Sequence, residues 1–272
     1  MLLRFDAMNG GAKFSEIAEE VILLDIIEQP AEMNVQKAQY GKGPGTLVSS
    51  VERTALSVQL VYVIRTMDPV RWGEVHDLVT KWARNATTLT VSTRPGKKLV
   101  GKFYTAPARN SALRWTDEQT ITFTAYEVPY WQDENVSVST FISRGDTVKV
   151  NCMCTADQVP LELIITNDTS NPITEVLIVV AGTYKMHLKG LNLVTPPQDP
   201  GYIVMEHSLV IDAKDGHTTR IFVTDEQNTS MLHTRTEDSV DVLEAITTEP
   251  TQVYFWADQS ATCWLNCRRW WL

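Results

Sequence analysis

The sequence predicts a mainly β protein, with an N-terminal β domain that carries one α-helix and a C-terminal β-sandwich. Three patterns support this prediction. Short runs that alternate apolar and polar residues recur along the chain, as in strands with one buried face. Helical periodicity is clear in one segment, near residues 68–85. In the second half, turn-forming clusters separate many short apolar runs at the spacing typical of a sandwich.

The composition indicates a folded chain with a substantial core. Of the 272 residues, 43% are hydrophobic and 21% are charged, which argues against extensive disorder. The longest apolar runs are too short to cross a bilayer, and the N-terminus lacks the basic and apolar regions of a signal peptide. We therefore expect no membrane binding, and folding in a cytoplasm.

Charge is distributed unevenly and suggests two domains, 1–135 and 136–272. Residues 1–131 contain 15 Lys and Arg against 14 Asp and Glu, whereas residues 132–272 contain 9 against 19. The difference suggests two regions with different neighbours, although solubility alone would also account for it. The acidic second half argues against direct nucleic-acid binding.

The helix is predicted over about residues 68–85. Asp68 suits the N-cap, Pro69 suits the first helical position, and Asn85 suits the end. Apolar residues at steps of three and four form a stripe for the core, namely Trp72, Val75, Leu78, Val79 and Trp82.

The remaining segments of the first half are predicted as strands. A long strand covers 56–64, and two strands, 89–92 and 99–104, flank residues 94–97. Pro95-Gly96 at the centre of that segment fits a type II turn, because glycine supplies the positive φ. Another strand covers 120–126 and precedes Pro129.

The segment 33–50 is predicted to be a long hairpin or an extended arm. It contains Gly41, Gly43 and Gly45 within a polar stretch. Segments this long in a compact domain are often functional or disordered.

Four cysteines provide the only candidates for a metal site. Cys152 and Cys154, within a strand predicted over 147–154, would share one face, and Cys263 and Cys267 would complete four thiol ligands for zinc. Neither spacing is the usual metal pair, so small side chains buried in a β core are the favoured interpretation.

The sequence gives no positive sign of catalysis or of a bound cofactor. The five histidines are scattered and form none of the usual zinc or hydrolase motifs. The segment 212–216 is partly similar to a calcium loop, but a hairpin turn is favoured because the closing glutamate is missing. We therefore expect a protein that is not an enzyme.

The order of elements in the first half resembles the N-terminal domain of phage distal tail proteins. The matching stretches run in order over about residues 50–131 and read "RTALSVQLVYVIRT", "WGEVHDLVTKWA", "LTVSTRPGKKLVGKFY" and "TITFTAYEVPYW". In this family a galectin-like β-sandwich follows, and the strand-rich second half agrees with it in order and size.

The resemblance implies a structural protein of the virion that is assembled in the cytoplasm of the bacterial host. Family members form a hexameric ring that joins the tail tube to the tail-tip fibre or its associated lysin, and receptor-binding proteins are further expected partners. The segment 33–50 resembles the family's arm that clasps the adjacent subunit. Its candidate interface residues are Gln39, Tyr40, Lys42 and Pro44.

The alternative function is a carbohydrate-binding module. Four tryptophans lie near the C-terminus, Trp256, Trp264, Trp270 and Trp271, and exposed aromatic rings can stack on sugars. Packing of these rings into the sandwich or an interface is the favoured interpretation, because Trp264 and Trp270 fall in a predicted closing strand. An exposed, coplanar aromatic pair with polar neighbours would favour sugar binding.

Overall fold

The computed structural model describes residues 5–39, 46–107, 117–194, 208–213, 219–224 and 228–272, without the side chains of 37–39 and 46–52. The chain divides into two compact units, Met1–Glu134 and Asn135–Leu272. Antiparallel strands form both units, and the described residues contain a single α-helix, so the mainly β prediction is confirmed. None of the described helices is long and apolar enough to span a membrane.

The described residues of the N-terminal unit form ten strands and the helix α1 (Pro69–Arg84). The strands are β1 (Ala7–Asn9), β2 (Ala12–Lys13), β3 (Val21–Glu28), β4 (Glu32–Gln39), β5 (Thr46–Ile64), β6 (Thr88–Val91), β7 (Lys97–Val100), β8 (Lys102–Phe103), β9 (Gln119–Ala125) and β10 (Trp131–Asp133).

These strands form two sheets, with the orders β2-β1-β6-β7-β10 and β3-β5-β9-β8. The predicted type II turn is confirmed between β6 and β7, since Gly96 has a φ of +72° and the Lys97 amide donates to the Arg94 carbonyl at 3.2 Å. The strand predicted over 99–104 is interrupted at Gly101, where the chain leaves one sheet and enters the other.

The helix follows the prediction closely. The Asp68 carboxylate caps it by accepting a hydrogen bond from the Val70 amide at 2.9 Å, and Asn85 ends it. Val75, Val79 and Trp82 are buried, but Leu78 is exposed and does not belong to the stripe. The Phe14 ring meets those of Tyr62 and Trp82 edge-on, at centroid distances of 5.4 and 5.0 Å.

Eleven strands are formed by the part of the C-terminal unit that the structure describes. They are β11 (Val138–Ser143), β12 (Thr147–Val150), β13 (Gln158–Asn167), β14 (Ile173–Val180), β15 (Tyr184–Leu193), β16 (Leu209–Asp212), β17 (Arg220–Val223), β18 (Glu244–Ile246), β19 (Thr251–Ala257), β20 (Ala261–Cys267) and β21 (Trp270–Trp271).

Two antiparallel sheets make up the C-terminal sandwich. One has the order β11-β20-β13-β16-β17, with β18 beside β13, and the other has the order β12-β19-β14-β15. Alternate residues of the long strands are buried, for example Leu163, Ile178 and Phe255. Burial of these apolar rows is the main stabilising contribution to such a unit.

Several sequence predictions differ from the structure in this unit. The strand predicted over 147–154 ends at Val150, because the Asn151 side chain accepts a hydrogen bond from the Met153 amide at 3.2 Å and turns the chain. Two strands, β11 and β18, were missed because few of their residues are buried.

Candidate assembly interface

The segment predicted as an arm forms a two-stranded ribbon. Residues Thr46–Ala55 of β5 pair with β4, and residues Leu56–Ile64 continue into the sheet between β3 and β9. The hairpin prediction is therefore confirmed. Eight strand residues span roughly 26 Å, so the ribbon extends well beyond the last residue pair of β9.

Both faces of β4 are open to solvent where its side chains are described. The five residues from Glu32 to Gln36 are all exposed, although strand residues alternate between two faces. Met33 and Val35 share one face and are exposed despite being apolar. An isolated two-stranded ribbon is only marginally stable in water, so a partner surface would stabilise this one.

The base of the ribbon is anchored to the unit. Within the ribbon, the Thr54 hydroxyl donates to the Glu32 carbonyl at 3.3 Å. The Arg53 guanidinium connects the ribbon to the rest of the unit and lies 5.0 Å from the centre of the Tyr130 ring. This second contact is a cation–π interaction with a residue that follows β9. The ribbon is therefore held at its base while its described side chains further out remain exposed.

A second exposed apolar surface lies at the opposite end of β5. Met67 and Val70, just before and within the first turn of α1, are 81% and 71% exposed. Because β5 runs from the ribbon to the start of this helix, the two apolar surfaces are separated along one long strand. Two such exposed apolar side chains so close in sequence are candidates for a contact site.

Of the predicted interface residues, one lies in the described backbone. Gln39 is the last residue of β4 and pairs with Thr46. Tyr40, Lys42 and Pro44 lie outside the described residues. Sequence reasoning missed Met33, Val35, Met67 and Val70, because exposure of apolar residues is not visible in an alternating pattern.

Cys152 and Cys154 do not lie in one strand, although a shared strand face was the reason to consider them as metal ligands. Cys152 is buried and Cys154 is half-buried in the loop after β12, so they do not share a strand face. The fold brings Cys152 beside Cys267, and all four thiols are free. Within the described residues no group of three or more His, Cys, Asp or Glu is arranged to hold a metal. The favoured interpretation, in which Cys152 and Cys154 are small core side chains and not metal ligands, stays a prediction.

The thiol environment is set by this contact and by burial. A hydrogen bond from the Cys267 thiol lowers the pKa of Cys152, and the same bond together with burial raises the pKa of Cys267. Burial alone raises the pKa of Cys263. Cys267 and Cys263 therefore remain protonated at neutral pH and act as small apolar side chains there.

Two polar pairs, Asp212 with Arg220 and His187 with Glu175, make contacts between neighbouring strands. Asp212, from the segment that is partly similar to a calcium loop, is bound by Arg220 across the β16–β17 hairpin, which confirms the predicted hairpin. His187 lies 2.6 Å from Glu175, and this hydrogen bond lowers the pKa of the glutamate. His76 is buried and its ring stacks on that of Trp72 at a centroid distance of 5.1 Å.

The C-terminal tryptophans divide between the core and the surface. Trp270 is buried, whereas Trp264 lies on the solvent side of β20 beside Phe141 of β11. Trp264 therefore does not pack into the sandwich, because its position in the strand alternation faces away from the core. Packing of this ring into an interface stays a prediction. The two exposed rings are inclined by 55° and are not coplanar.

Comparison with known proteins relies on structure rather than sequence. No family model matches the chain, and no curated protein matches its sequence. The crystal structure of the Dit protein of phage SPP1, described as a paradigm of the hub adsorption apparatus in phages that infect Gram-positive bacteria, superposes with a TM-score of 0.67. The identity is 10%, and the match covers 97% of this chain and 98% of that one.

Two structures of the phage P2 baseplate in its activated conformation, with calcium and with strontium, match less closely. Each has a TM-score of 0.51 and 8% identity, with coverage of 99% and 98% of this chain and of 98% and 97% of the baseplate chain. The fold predicted from the order of elements is thus confirmed. This chain has the fold of the phage hub protein Dit along nearly the full length of both chains.

Proposed function

We propose that the chain is a structural subunit of a phage tail tip, a distal tail protein that forms a hexameric ring between the tail tube and the tail-tip fibre. The observation that carries this proposal is the match to the hub protein Dit over nearly the whole of both chains. A partial match would be explained by a common sandwich domain, but here both units are matched together.

The ribbon supplies the contact that a ring requires. In a closed head-to-tail ring, one surface of each subunit must complement a different surface of the next. The ribbon with Met33 and Val35 is the proposed donor surface, and Met67 with Val70 is the candidate acceptor surface. Their positions at opposite ends of β5 suit a head-to-tail contact. Gln39, Tyr40, Lys42 and Pro44 extend the proposed donor surface.

The proposed partners follow from this role. The ring would contact the tail tube on one side and the tail-tip fibre, an associated lysin or receptor-binding proteins on the other. The protein would be assembled in the cytoplasm of the bacterial host and reside in the virion. The role assigns it no catalytic step and no cofactor.

Light scattering of the full-length chain at several concentrations tests the assembly. A hexamer has about six times the monomer mass of 30.6 kDa. The sharpest variant is Met33→Glu with Val35→Glu, because it places charges on the apolar face of the ribbon. We expect this variant to shift to monomers while its circular dichroism spectrum stays unchanged.

The matched control is Asn34→Glu, which adds a charge to the opposite face of the same strand and should leave the hexamer intact. A wild-type chain that remains monomeric at every concentration, or that forms a stable dimer only, would contradict the hexameric ring. Equal assembly of the two variants would contradict the donor role of the ribbon.

A further inference from the structure

The outward face of the sheet β11-β20-β13 carries an ordered pattern of side chains. Alternate residues of these strands point away from the sandwich core, and the strand register aligns them in rows across the sheet. The central row contains Phe141, Trp264 and Ile164. Phe141 is 59% exposed and Trp264 is 46% exposed. The row therefore presents two aromatic rings to solvent at the edge of the sheet.

Polar rows flank the aromatic row on both sides. One contains Ser139, Asn266 and Glu162, and the other contains Ser143, Thr262 and Thr166. Each lies two residues along the strands from the aromatic row, at a distance of about 7 Å. The face is thus a narrow apolar strip between two lines of hydrogen-bonding groups.

Hydrogen bonds hold these polar groups in place. The Ser139 hydroxyl donates to Asn266 Oδ1 at 2.8 Å, and Asn266 Nδ2 donates to Glu162 Oε2 at 3.2 Å. In the other polar row, the Thr262 hydroxyl donates to Asp168 Oδ2 at 2.9 Å. Both chains of hydrogen bonds end on a carboxylate. Groups that are already oriented lose little conformational entropy when a ligand binds.

We propose that this face binds a neutral, hydroxyl-rich oligosaccharide. The C–H face of a sugar ring stacks on the flat indole of Trp264, and the hydroxyl groups at the rim of the sugar meet the polar rows. The rings of Phe141 and Trp264 are 5.9 Å apart and inclined by 55°, so they form a shallow corner and not a coplanar pair, and only one of them can stack flat on a given sugar ring. One sugar ring stacks on Trp264, and the next contacts Phe141 from the side.

The charges select the class of saccharide. Glu162 accepts a hydrogen bond from the Asn266 amide, and Asp168 accepts one from the Thr262 hydroxyl. Each carboxylate has further acceptor capacity for hydroxyl groups, which a neutral sugar provides in excess. The same carboxylates repel phosphate-bearing or carboxylate-bearing polymers. These two carboxylates therefore favour a neutral glycan over an anionic one.

A protein partner suits this face less well. The apolar strip is one row wide, and a flat protein surface on it would remove water from both polar rows without replacing all their hydrogen bonds. A sugar has donors and acceptors around its whole rim and avoids that cost. The saccharide site does not depend on ring assembly, and the two proposals can fail separately.

The test starts from the full-length chain on an array of neutral and anionic bacterial-surface glycans. We expect at least one neutral glycan to bind, and its affinity is then measured by calorimetry. Trp264→Leu keeps an apolar side chain but removes the flat ring, and it should weaken binding about tenfold or more. Phe141→Leu removes the second ring of the site and should also weaken binding. Phe141 is more exposed than Trp264, so its replacement disturbs the fold less.

The matched control is Tyr184→Leu, which removes an exposed aromatic ring from β15 in the other sheet and should bind as the wild type does. Glu162→Gln removes the charge and should allow anionic glycans to bind. The proposal is overturned if no neutral glycan binds or if only anionic glycans bind. It is also overturned if Trp264→Leu and Phe141→Leu both bind the glycan as the wild type does. A hexamer that binds no glycan would refute this site alone.

Discussion

Arg220 donates two hydrogen bonds to the carboxylate of Asp212, from Nε to Oδ1 at 2.8 Å and from Nη2 to Oδ2 at 2.7 Å. The two residues face each other across the β16–β17 hairpin, and the aspartate is only 2% exposed. The guanidinium plane matches both carboxylate oxygens, which is the strongest geometry for such a pair. The hairpin buries a charge and supplies its partner eight residues later.

Removal of Arg220 should therefore destabilise the C-terminal unit. Arg220→Ala leaves the buried carboxylate without its main donor, and we expect a loss of about 1.5–3 kcal/mol in the free energy of unfolding. The measurement is urea unfolding of both single variants and of the double variant with Asp212→Ala. The double variant should lose less than the sum of the two single losses, and strict additivity would contradict the pairing.

Gly101 should not tolerate a side chain. A Cβ atom there would lie 2.3 Å from the carbonyl oxygen of Thr124 and 2.9 Å from the Cα of Ala125, and both are backbone atoms. We expect Gly101→Ala to cost about 1–3 kcal/mol, because the crossing between the two sheets must open to admit a methyl group. Thermal unfolding checks this, with Lys102→Ala at an exposed neighbouring position as the control. Equal melting temperatures for the two variants would refute the close approach.

The cap of α1 gives a sharper prediction, because one atom is responsible. Asp68→Ala removes the carboxylate that accepts the Val70 amide and should cost about 1 kcal/mol. Asp68→Asn keeps an acceptor at the same place and should change the free energy of unfolding by only a few tenths of a kcal/mol. The free energies of unfolding of both variants, measured by chemical unfolding, test this prediction. A similar loss in the two would mean that the negative charge, and not the hydrogen bond, matters at this helix start.

Acid should weaken the contact between Lys185 and Asp238. The ammonium group of Lys185 donates to the Asp238 carboxylate and lowers its pKa from 3.8 to about 2. The stabilisation is fully present above the unfolded-state pKa and is lost as the pH falls toward the folded-state value. We therefore expect the wild type to lose more melting temperature than Asp238→Asn between about pH 4 and pH 2.

This pH effect should be small and sensitive to salt, because both side chains are largely exposed. In about 0.5 M salt, the difference in melting temperature between the wild type and Asp238→Asn should be smaller, because salt screens the interaction. An identical pH dependence of the wild type and Asp238→Asn at low salt would show that the contact does not contribute to stability.

The local features that the sequence predicted correctly depend on short-range chemistry. Asp68-Pro69 started the helix and Pro95-Gly96 formed the turn, because capping and positive φ are decided within a few residues. The part of β5 before α1 was also predicted as a strand, since alternate residues from Leu56 to Ile64 are apolar and buried. The order of these elements was enough to predict the fold.

The errors have equally local causes. The strand predicted through Cys154 ended at Val150, where an asparagine side chain competes for the backbone. Leu78 continued the helical stripe in the sequence but faces solvent, because the surface that α1 covers is narrower than the stripe. The edge strand β11 was missed since it buries a single apolar side chain, Ile142.

By itself, the sequence determined the class of fold, the start and end of the helix, and the turn between β6 and β7, because these depend on neighbouring residues. Only the tertiary structure decided which apolar side chains remain exposed. Met33 on the ribbon and Trp264 on the sheet resemble core residues in the sequence, yet neither has a second layer packed against it. Exposure depends on what lies opposite a residue in space, and a one-dimensional pattern carries no information about that.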